Sequence, residues 1–276
     1  MSKRVLLLGG HGKVSLYMTP LIVSRSWHLT SVIRNPEQKA TIESAGKKGP
    51  GKIDVLISSL DDIKSESDAK KIIDQAKPDY VVWSAGAGGK GGKERTYAID
   101  RDSAIAFIRA SIATPSVRKF LIVSALSERR QRAPWWDDET WAAVQKTNAQ
   151  VLPDYFKAKL AADDVLTVLG EERRAQDPAF SYVCLRPGAL LDGEATGKVT
   201  IGQTAGLSGT GVQRADVADV AVRLLESEGA NGWFDLLNGE NEAAAEVERV
   251  IQEGVNSIEG ESLEQMKSAI AERSSN

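Results

Sequence analysis

A short apolar segment near the start of the chain runs directly into glycines, and this break constrains the fold more than any other stretch. Val5–Leu8 is apolar throughout, which is typical of a strand that a parallel sheet buries on both faces. Gly9-Gly10-His11-Gly12 follows, and a segment from Val14 to about Ser24 then has the length of a helix. The pattern predicts a strand, a tight turn and a helix.

The glycines leave the backbone of this turn free of side chains. Unpaired N–H groups and the positive end of the helix dipole make the N-terminus of such a helix an anion site. A pyrophosphate can therefore lie against Gly9, Gly12, Lys13 and Val14, and small Ser15 stands where a third glycine often allows close helix packing. Two glycines at this spacing also occur in tight turns that bind nothing, so the assignment depends on the rest of the chain.

Strand-like and helix-like segments alternate from residue 4 to about residue 237. This alternation predicts an α/β fold, a doubly wound parallel sheet with helices on both faces. We expect one domain over residues 1–276, with substrate-side loops at about 125–153 and 189–211 and C-terminal helices at about 242–273. The predicted strands are Val5–Leu8, His28–Ile33, Asp54–Ser58, Tyr80–Ser84, Lys119–Ser124 and Phe180–Leu185, and a last strand with its turn covers Gly232–Gly239.

Composition excludes several classes of protein. The formal net charge of -3 gives no basic footprint for nucleic acid, and the longest apolar runs are strand-length, so we expect no membrane-spanning helix. Cys184 is the single cysteine, which excludes an intrachain disulfide and fits a reducing, cytoplasmic location. Two histidines and one cysteine cannot build a usual metal site, so we predict no metal.

Two further features favour a dinucleotide. Arg34 ends the second predicted strand, where an acidic residue would accept a hydrogen bond from the ribose 2′-hydroxyl of NAD and an arginine suits the 2′-phosphate of NADP. Arg34 therefore favours NADP, although a solvated arginine at a strand end is the alternative. Ser84, Ala85 and Gly86 follow the fourth strand, and such small residues allow a cofactor to lie against the backbone.

A tyrosine and a lysine supply the candidate chemistry. Tyr155 and Lys159 are four residues apart at the head of a predicted helix, so both side chains emerge on one face and can act on one ligand. When a carbonyl is reduced, its oxygen needs a proton, and a tyrosine becomes a usable donor if a nearby lysine cation lowers its pKa. Trp135, Trp136 and Trp141 lie in the preceding loop and are either a substrate wall or a cover for the sheet edge or a dimer contact.

The ordered glycine turn, Ser84–Gly86, Tyr155 with Lys159, and Arg186-Pro187-Gly188 resemble the atypical and extended short-chain dehydrogenases/reductases, a Rossmann-fold family. The resemblance implies that Lys159 also contacts the nicotinamide ribose and that Arg186, Pro187 and Gly188 lie at the nicotinamide end. It places a carboxylate near the adenine, for which Asp61, with Asp62 beside it, is the candidate; the alternative is that the two aspartates begin or cap the next turn. The resemblance also implies a serine that polarises the substrate carbonyl. Ser124 and Ser127 are the candidates, because the position that many extended members use is Ala125 here.

These features predict an NADP-dependent oxidoreductase that reduces a small carbonyl or quinone-like compound, with Tyr155, Lys159 and Ser124 as catalytic residues. Trp135, Trp136 and Ser127 are the candidate substrate contacts. The alternative is a non-catalytic NADP(H)-sensing regulator that resembles the NmrA-like proteins. A third interpretation, an epimerase that uses bound NAD as an internal redox agent, fits Arg34 poorly. The substrate and the oligomeric state are not predicted.

Overall fold

The computed structural model describes residues 2–88, 91–204 and 211–274, and its centre is a large β-sheet. The strands are β1 (Arg4–Leu8), β2 (His28–Ile33), β3 (Lys52–Ile57), β4 (Tyr80–Trp83), β5 (Lys119–Val123), β6 (Ser181–Pro187), β7 (Ala189–Leu191), β8 (Lys198–Gly202), β9 (Gly211–Gln213), β10 (Gly232–Asn238) and β11 (Asn241–Glu242). Nine of them form one sheet in the order β11-β8-β10-β6-β5-β4-β1-β2-β3, and β7 pairs with β9.

Helices connect these strands. They are α1 (Lys13–Ser24), α2 (Lys39–Gly46), α3 (Glu66–Ala76), α4 (Gly92–Thr96), α5 (Ala104–Ile112), α6 (Asp138–Lys146), α7 (Pro153–Gln176), α8 (Arg214–Glu226), α9 (Ala243–Gln252) and α10 (Leu263–Ser274). Short π-helical segments cover Tyr97–Ser103 and Thr147–Val151, and 3-10 turns cover Pro36–Gln38 and Leu60–Asp62. Within the residues that the structure describes, no helix is both long and apolar enough to span a membrane.

The sheet confirms the predicted doubly wound fold. β1 pairs in parallel with β2 on one side and with β4 on the other, and Leu8 lies opposite Val32 and Trp83. The strand order therefore reverses between β1 and β4, because the chain leaves one half of the sheet and starts the other half there. Ligands of open α/β sheets bind outside the carboxyl ends of the strands at such a switch point. The glycine turn follows β1 at this place.

The apolar run of β1 contributes to both layers of the core. Leu7 packs with Met18 and Ile22 of α1 on one face, whereas Leu6 and Leu8 pack with residues such as Phe107 of α5 on the other. Alternate side chains of a strand point to opposite faces, so a strand between two helical layers must be apolar at every position. Each fully buried leucine contributes roughly 1.5–3 kcal/mol.

Part of the expected loop at 189–211 is sheet. β8 pairs antiparallel with β10, and Val199 and Ile201 are buried while Lys198 is exposed. This apolar–polar alternation is the usual pattern of a strand, and the many glycines and threonines around it obscured it in the sequence. Residues 205–210 of that expected loop lie outside the described residues.

The predicted loop at 125–153 contains α6, which Asp137 caps by accepting the backbone N–H of Thr140. The C-terminal helices are confirmed as α9 and α10. α10 is attached to the core through Met266, which is fully buried.

Candidate active site

The turn after β1 requires glycine at its first position. Gly9 has φ of +82°, and a Cβ added there would lie 2.6 Å from the Cα of Ala85. A contact this close cannot be relieved by a rotamer change, because both atoms are fixed by the backbone. The turn closes through a hydrogen bond from the Gly12 N–H to the Gly9 carbonyl at 2.8 Å. The two predicted small-residue breaks, after β1 and after β4, therefore pack directly against each other.

The N-terminus of α1 is open to an anion. Gly12 is the N-cap and has no side chain that could cap the helix, and no described residue accepts the backbone N–H of Lys13 or Val14. The Ser15 hydroxyl is buried and also has no partner in the described part of the chain. Free N–H groups at the positive end of a helix dipole fit a pyrophosphate.

Two cavities meet at this turn. The larger has a volume of about 730 Å³ and the smaller about 200 Å³. Gly12, Ser84, Ala85 and Gly86 line both, so the cavities adjoin across the turn. The larger volume is within the range of sites for small organic ligands. An extended two-ended ligand such as a dinucleotide fits this arrangement.

The larger cavity brings the predicted catalytic residues together. Tyr155, Lys159 and Ser124 line it with Lys13 and Val14 of the anion site. Tyr155 lies on the first turn of α7, and Lys159 is on the same face one turn later, 1% exposed. The Lys159 ammonium group donates to the Val123 carbonyl at 2.8 Å, at the end of β5. The roles of these residues stay predictions.

The pKa of Tyr155 is raised, in the direction opposite to the expected effect of the lysine. Burial is the main cause, and the carboxyl groups of Glu128, Asp100 and Asp163 raise the pKa further. Burial disfavours a phenolate, and these groups would repel it wherever they are ionised, so Tyr155 holds its proton at neutral pH. The expectation considered only the nearest cation, whereas the fold adds three carboxyl groups from separate parts of the chain.

Asp100 is a cavity residue that the sequence analysis missed. It lies in the π-helical segment before α5, is 1% exposed, and accepts the Ala87 N–H at 2.9 Å. Burial raises its pKa, and the Lys159 cation opposes this increase. A carboxylate beside Ile99, on the apolar face of an amphipathic helix, was the available signal. Asp100 holds the loop after β4 and borders the same cavity as Tyr155.

Ser124 is the better placed of the two serine candidates. It is 4% exposed, lines the cavity, and its hydroxyl donates to Asp163 Oδ2 at 2.5 Å. Asp163 lies one turn after Lys159 on α7, and burial raises its pKa. Ser127 instead points its hydroxyl toward the Glu128 carboxyl at 3.4 Å and does not line the cavity.

The Arg186-Pro187-Gly188 turn serves the core and does not border the cavity, which differs from the expectation. Arg186 is fully buried, and its Nε and Nη1 atoms lie 3.1 Å from Asp235 and Asp163. Gly188 continues the backbone ladder by donating to the Leu236 carbonyl. A buried guanidinium must be paired, and these two carboxyl groups share it with the backbone carbonyls of Leu126 and Glu128, which accept from Nη2. Leu190, two residues beyond the turn, borders the cavity instead.

The tryptophans also lie away from the cavity lining. Trp136 is 3% exposed and packs with Trp135, Trp141 and Leu237 in a separate apolar cluster beside the end of β10. Its indole N–H donates to the Thr204 carbonyl at 2.9 Å. The cluster thus covers the end of β10, an interior strand of the sheet, and the substrate wall, the edge cover and the dimer contact stay predictions. The apolar residues that line the cavity include Val151, Leu152, Pro153 and Leu190.

The smaller cavity forms the other end of the cleft, and Arg34 and Asp61 both line it. Asp61 Oδ1 accepts a hydrogen bond from Arg95 Nε at 3.0 Å, and Asp61 Oδ2 is 3.3 Å from an Arg34 nitrogen. Arg95, on α4, is a second residue that the sequence analysis missed. His11, Gln38 and Ser58 add further polar groups to the lining. This end offers charged and polar groups to the nucleoside of a dinucleotide.

Comparisons with known proteins agree with this geometry. A family model described as NAD(P)H-binding matches residues 9–228. The UPF0659 protein C216.03 of Schizosaccharomyces pombe is 31% identical over 199 residues, which are 71% of this chain and 74% of that protein. The uncharacterized sugar epimerase YhfK of Bacillus subtilis is 27% identical over 250 residues, 90% of this chain and 100% of that protein.

A solved structure from Bacillus halodurans, provisionally assigned as an NAD-dependent epimerase/dehydratase, superposes with a TM-score of 0.70. It is 26% identical and covers 90% of this chain and 100% of its own. The fold, the open helix N-terminus and the matched family model agree. The chain belongs to the NAD(P)H-binding family of Rossmann-fold proteins, among oxidoreductase-like and epimerase-like relatives.

Proposed function

We propose that the protein is an NADP-dependent oxidoreductase that reduces a small carbonyl or quinone-like compound. One observation carries the proposal: Tyr155 and Lys159 border the same cavity as the open N-terminus of α1. A proton donor and the site for a dinucleotide therefore face one space. Reduction of a carbonyl needs a hydride donor at the carbon and a proton donor at the oxygen of the same bond.

In the proposed reaction, Tyr155, Lys159 and Ser124 have different roles. The bound nicotinamide supplies the hydride chemistry. Tyr155 donates its proton to the substrate oxygen, and the Lys159 cation stabilises the phenolate that remains. The buried carboxyl groups around Tyr155 keep it protonated before reaction, which is the state that a donor needs. The Ser124 hydroxyl lies at the same cavity wall, and it orients the substrate oxygen by exchanging its hydrogen bond to Asp163 for one to the substrate.

Arg34 supports NADP as the preferred cofactor. Its side chain is 59% exposed at the end of β2 and lines the smaller cavity, where the adenosine ribose would lie. A guanidinium can bind the 2′-phosphate through two parallel hydrogen bonds, whereas NADH offers only a hydroxyl there. The single, buried Cys184 is consistent with a reducing compartment, and we propose a cytoplasmic location.

The cavity wall supports an apolar substrate. Leu152 and Leu190 are 48% and 37% exposed, large values for leucines, and both border the larger cavity. Covering this exposed apolar area with an apolar ligand removes it from water, which favours binding. Quinones, aromatic aldehydes and aryl ketones have this character and carry the carbonyl that the reaction needs.

The first experiment follows oxidation of NADPH against a panel of quinones, aldehydes and ketones. We expect turnover that the Tyr155→Phe substitution lowers by about 10²–10⁴-fold, because the phenyl ring cannot donate a proton. Tyr17→Phe is the matched control, since Tyr17 is 45% exposed on α1 and does not line the cavity. Turnover that survives in Tyr155→Phe would remove Tyr155 from the mechanism.

A non-catalytic NADP(H) sensor is the second candidate, and the surroundings of Tyr155 favour it. Three carboxyl groups raise the pKa of this tyrosine, and the Lys159 ammonium is engaged by the Val123 carbonyl. Both features weaken Tyr155 as an acid. Tight binding of NADPH with no turnover across the panel would support the sensor.

An epimerase with bound NAD is the third candidate, which the names of the Bacillus subtilis and Bacillus halodurans proteins bring forward. Such an enzyme regenerates its cofactor in each cycle and has no need to release it. Protein that retains NAD through purification and binds NADH more tightly than NADPH would favour this candidate over the reductase.

A further inference from the structure

Asp61 lies between two arginines at the nucleoside end of the cleft. Arg95 approaches it with two nitrogens, Nε at 3.0 Å from Oδ1 and Nη2 at 3.4 Å from Oδ2. Arg34 approaches Oδ2 with one nitrogen at 3.3 Å. The Arg95 side chain is 26% exposed and that of Arg34 is 59% exposed. Arg95 is therefore the firmer partner, and Arg34 is the one that can leave.

The charge of Asp61 affects how strongly Arg34 can bind a phosphate at this end of the cleft. Asp61 is ionised at neutral pH, since its pKa is lowered, first by the hydrogen bond from Arg95 and then by Arg34. An ionised carboxylate competes with an incoming phosphate for Arg34. If Arg95 were absent, Arg34 would be the one arginine left on Asp61 among the contacts described here. Arg95 neutralises the Asp61 carboxylate, and this leaves the positive charge of Arg34 available to a phosphate.

The backbone before α4 is shaped to allow this contact. Gly91 is the N-cap of α4 with φ of +88°, and a Cβ added there would lie 2.7 Å from Arg95 Cδ. The Arg95 side chain thus runs back over a glycine on its way to Asp61. Any other residue at this position would both strain the backbone and push the Arg95 side chain away.

We propose that Arg95 is a positioning residue for cofactor selectivity: by keeping Asp61 paired, it frees Arg34 to bind the 2′-phosphate of NADPH. Asp61 is accordingly an internal competitor for Arg34. This inference rests on the proposed function only in taking NADPH as the cofactor, and it does not depend on turnover. This indirect role through Asp61 differs from direct binding of the phosphate by Arg95, and an experiment can separate the two roles.

The test measures dissociation constants for NADPH, NADH, 2′,5′-ADP and 5′-AMP by calorimetry. Four proteins are compared with the unmodified chain: Arg95→Gln, Asp61→Asn, the double variant, and Arg25→Gln. Arg25 pairs with Glu226 on the surface and does not line either cavity, so it controls for loss of an arginine ion pair. Thermal unfolding of each protein confirms that it is folded.

We expect Arg95→Gln to weaken NADPH and 2′,5′-ADP by about three- to tenfold, the size of a partly exposed ion-pair effect, with NADH and 5′-AMP within about twofold. The double variant should regain the lost affinity, because the neutral amide that replaces the carboxylate no longer holds Arg34. Asp61→Asn alone should bind NADPH at least as tightly as the unmodified chain.

A double variant as weak as Arg95→Gln would overturn the proposal and assign Arg95 to the phosphate itself. Unchanged NADPH binding in Arg95→Gln would also overturn it. Preference of the unmodified chain for NADH would refute NADP as the cofactor and this inference together. Rescue in the double variant without turnover on any carbonyl compound would uphold the inference and refute only the reductase.

Discussion

Glu128 gives the sharpest prediction about stability. It lies in the segment after β5, is 1% exposed, and its Oε2 atom has no hydrogen-bond partner among the described residues. Burial raises the pKa of Glu128 to about 8, and the nearby Asp163 carboxyl adds to the effect, while the Arg186 and Lys159 cations oppose it. The folded protein therefore keeps Glu128 protonated at a pH where the unfolded chain ionises it.

The direction of the pH dependence follows from this difference. Between the ordinary pKa of 4.5 and the raised value of about 8, the folded state binds one more proton than the unfolded state, so the free energy of unfolding falls as pH rises. The slope is about 1.4 kcal/mol per pH unit well below pH 8 and half of that at pH 8, which amounts to roughly 2 kcal/mol between pH 6 and pH 8. Glu128→Gln has the shape of the protonated acid and cannot ionise, so it lacks this slope.

Urea unfolding of both proteins at pH 6, 7 and 8 measures the difference. We expect Glu128→Gln to gain stability relative to the unmodified chain by roughly 2–3 kcal/mol over this range. Exposed Glu240, in the turn after β10, supplies the control Glu240→Gln, whose difference should stay constant. Parallel pH curves for Glu128→Gln and the unmodified chain would refute the assignment of a buried, protonated Glu128.

Two further predictions concern the turn and the tryptophan cluster. Gly9→Ala should lower the free energy of unfolding by more than about 2 kcal/mol and abolish NADPH binding, because the added Cβ meets the Ala85 backbone. Gly254→Ala is the control, since Gly254 has φ of +65° and no atom within 4 Å of an added Cβ. In the same thermal and binding assays, this control should show only the conformational cost of about 1–2 kcal/mol. Trp136→Phe should lower stability by about 1–3 kcal/mol, since it loses packing and one buried hydrogen bond, while the KM for the best carbonyl compound of the panel stays unchanged. A large rise in that KM would return Trp136 to the substrate wall.

The parts of the fold that the sequence predicts depend on short-range patterns. The apolar run of β1 predicts burial on both faces, and the glycines after it predict a tight turn. The spacing of Tyr155 and Lys159 predicts one helix face, which α7 confirms. β8 was missed because its alternation is short and lies among residues that usually form loops. Such local signals act within a few residues of each other, so they are readable before the chain has folded.

The site itself contains groups that no local pattern brings together. Arg186 was expected at the cofactor, but it is neutralised by Asp163 and Asp235, which lie 23 and 49 residues away along the chain. The carboxyl groups that raise the pKa of Tyr155 come from three separate segments, and Arg95 meets Asp61 across 34 residues.

The sequence by itself determined the alternation of the main parallel strands with helices, the glycine turn and the spacing of the tyrosine and lysine, because hydrophobic periodicity and backbone freedom are local properties. The tertiary structure alone decided which charges are paired, which are left for a ligand, and which aromatic residues are buried. The physical reason is that pairing and burial depend on distances in space, and these are fixed only when the register of the sheet and the packing of its helices are fixed.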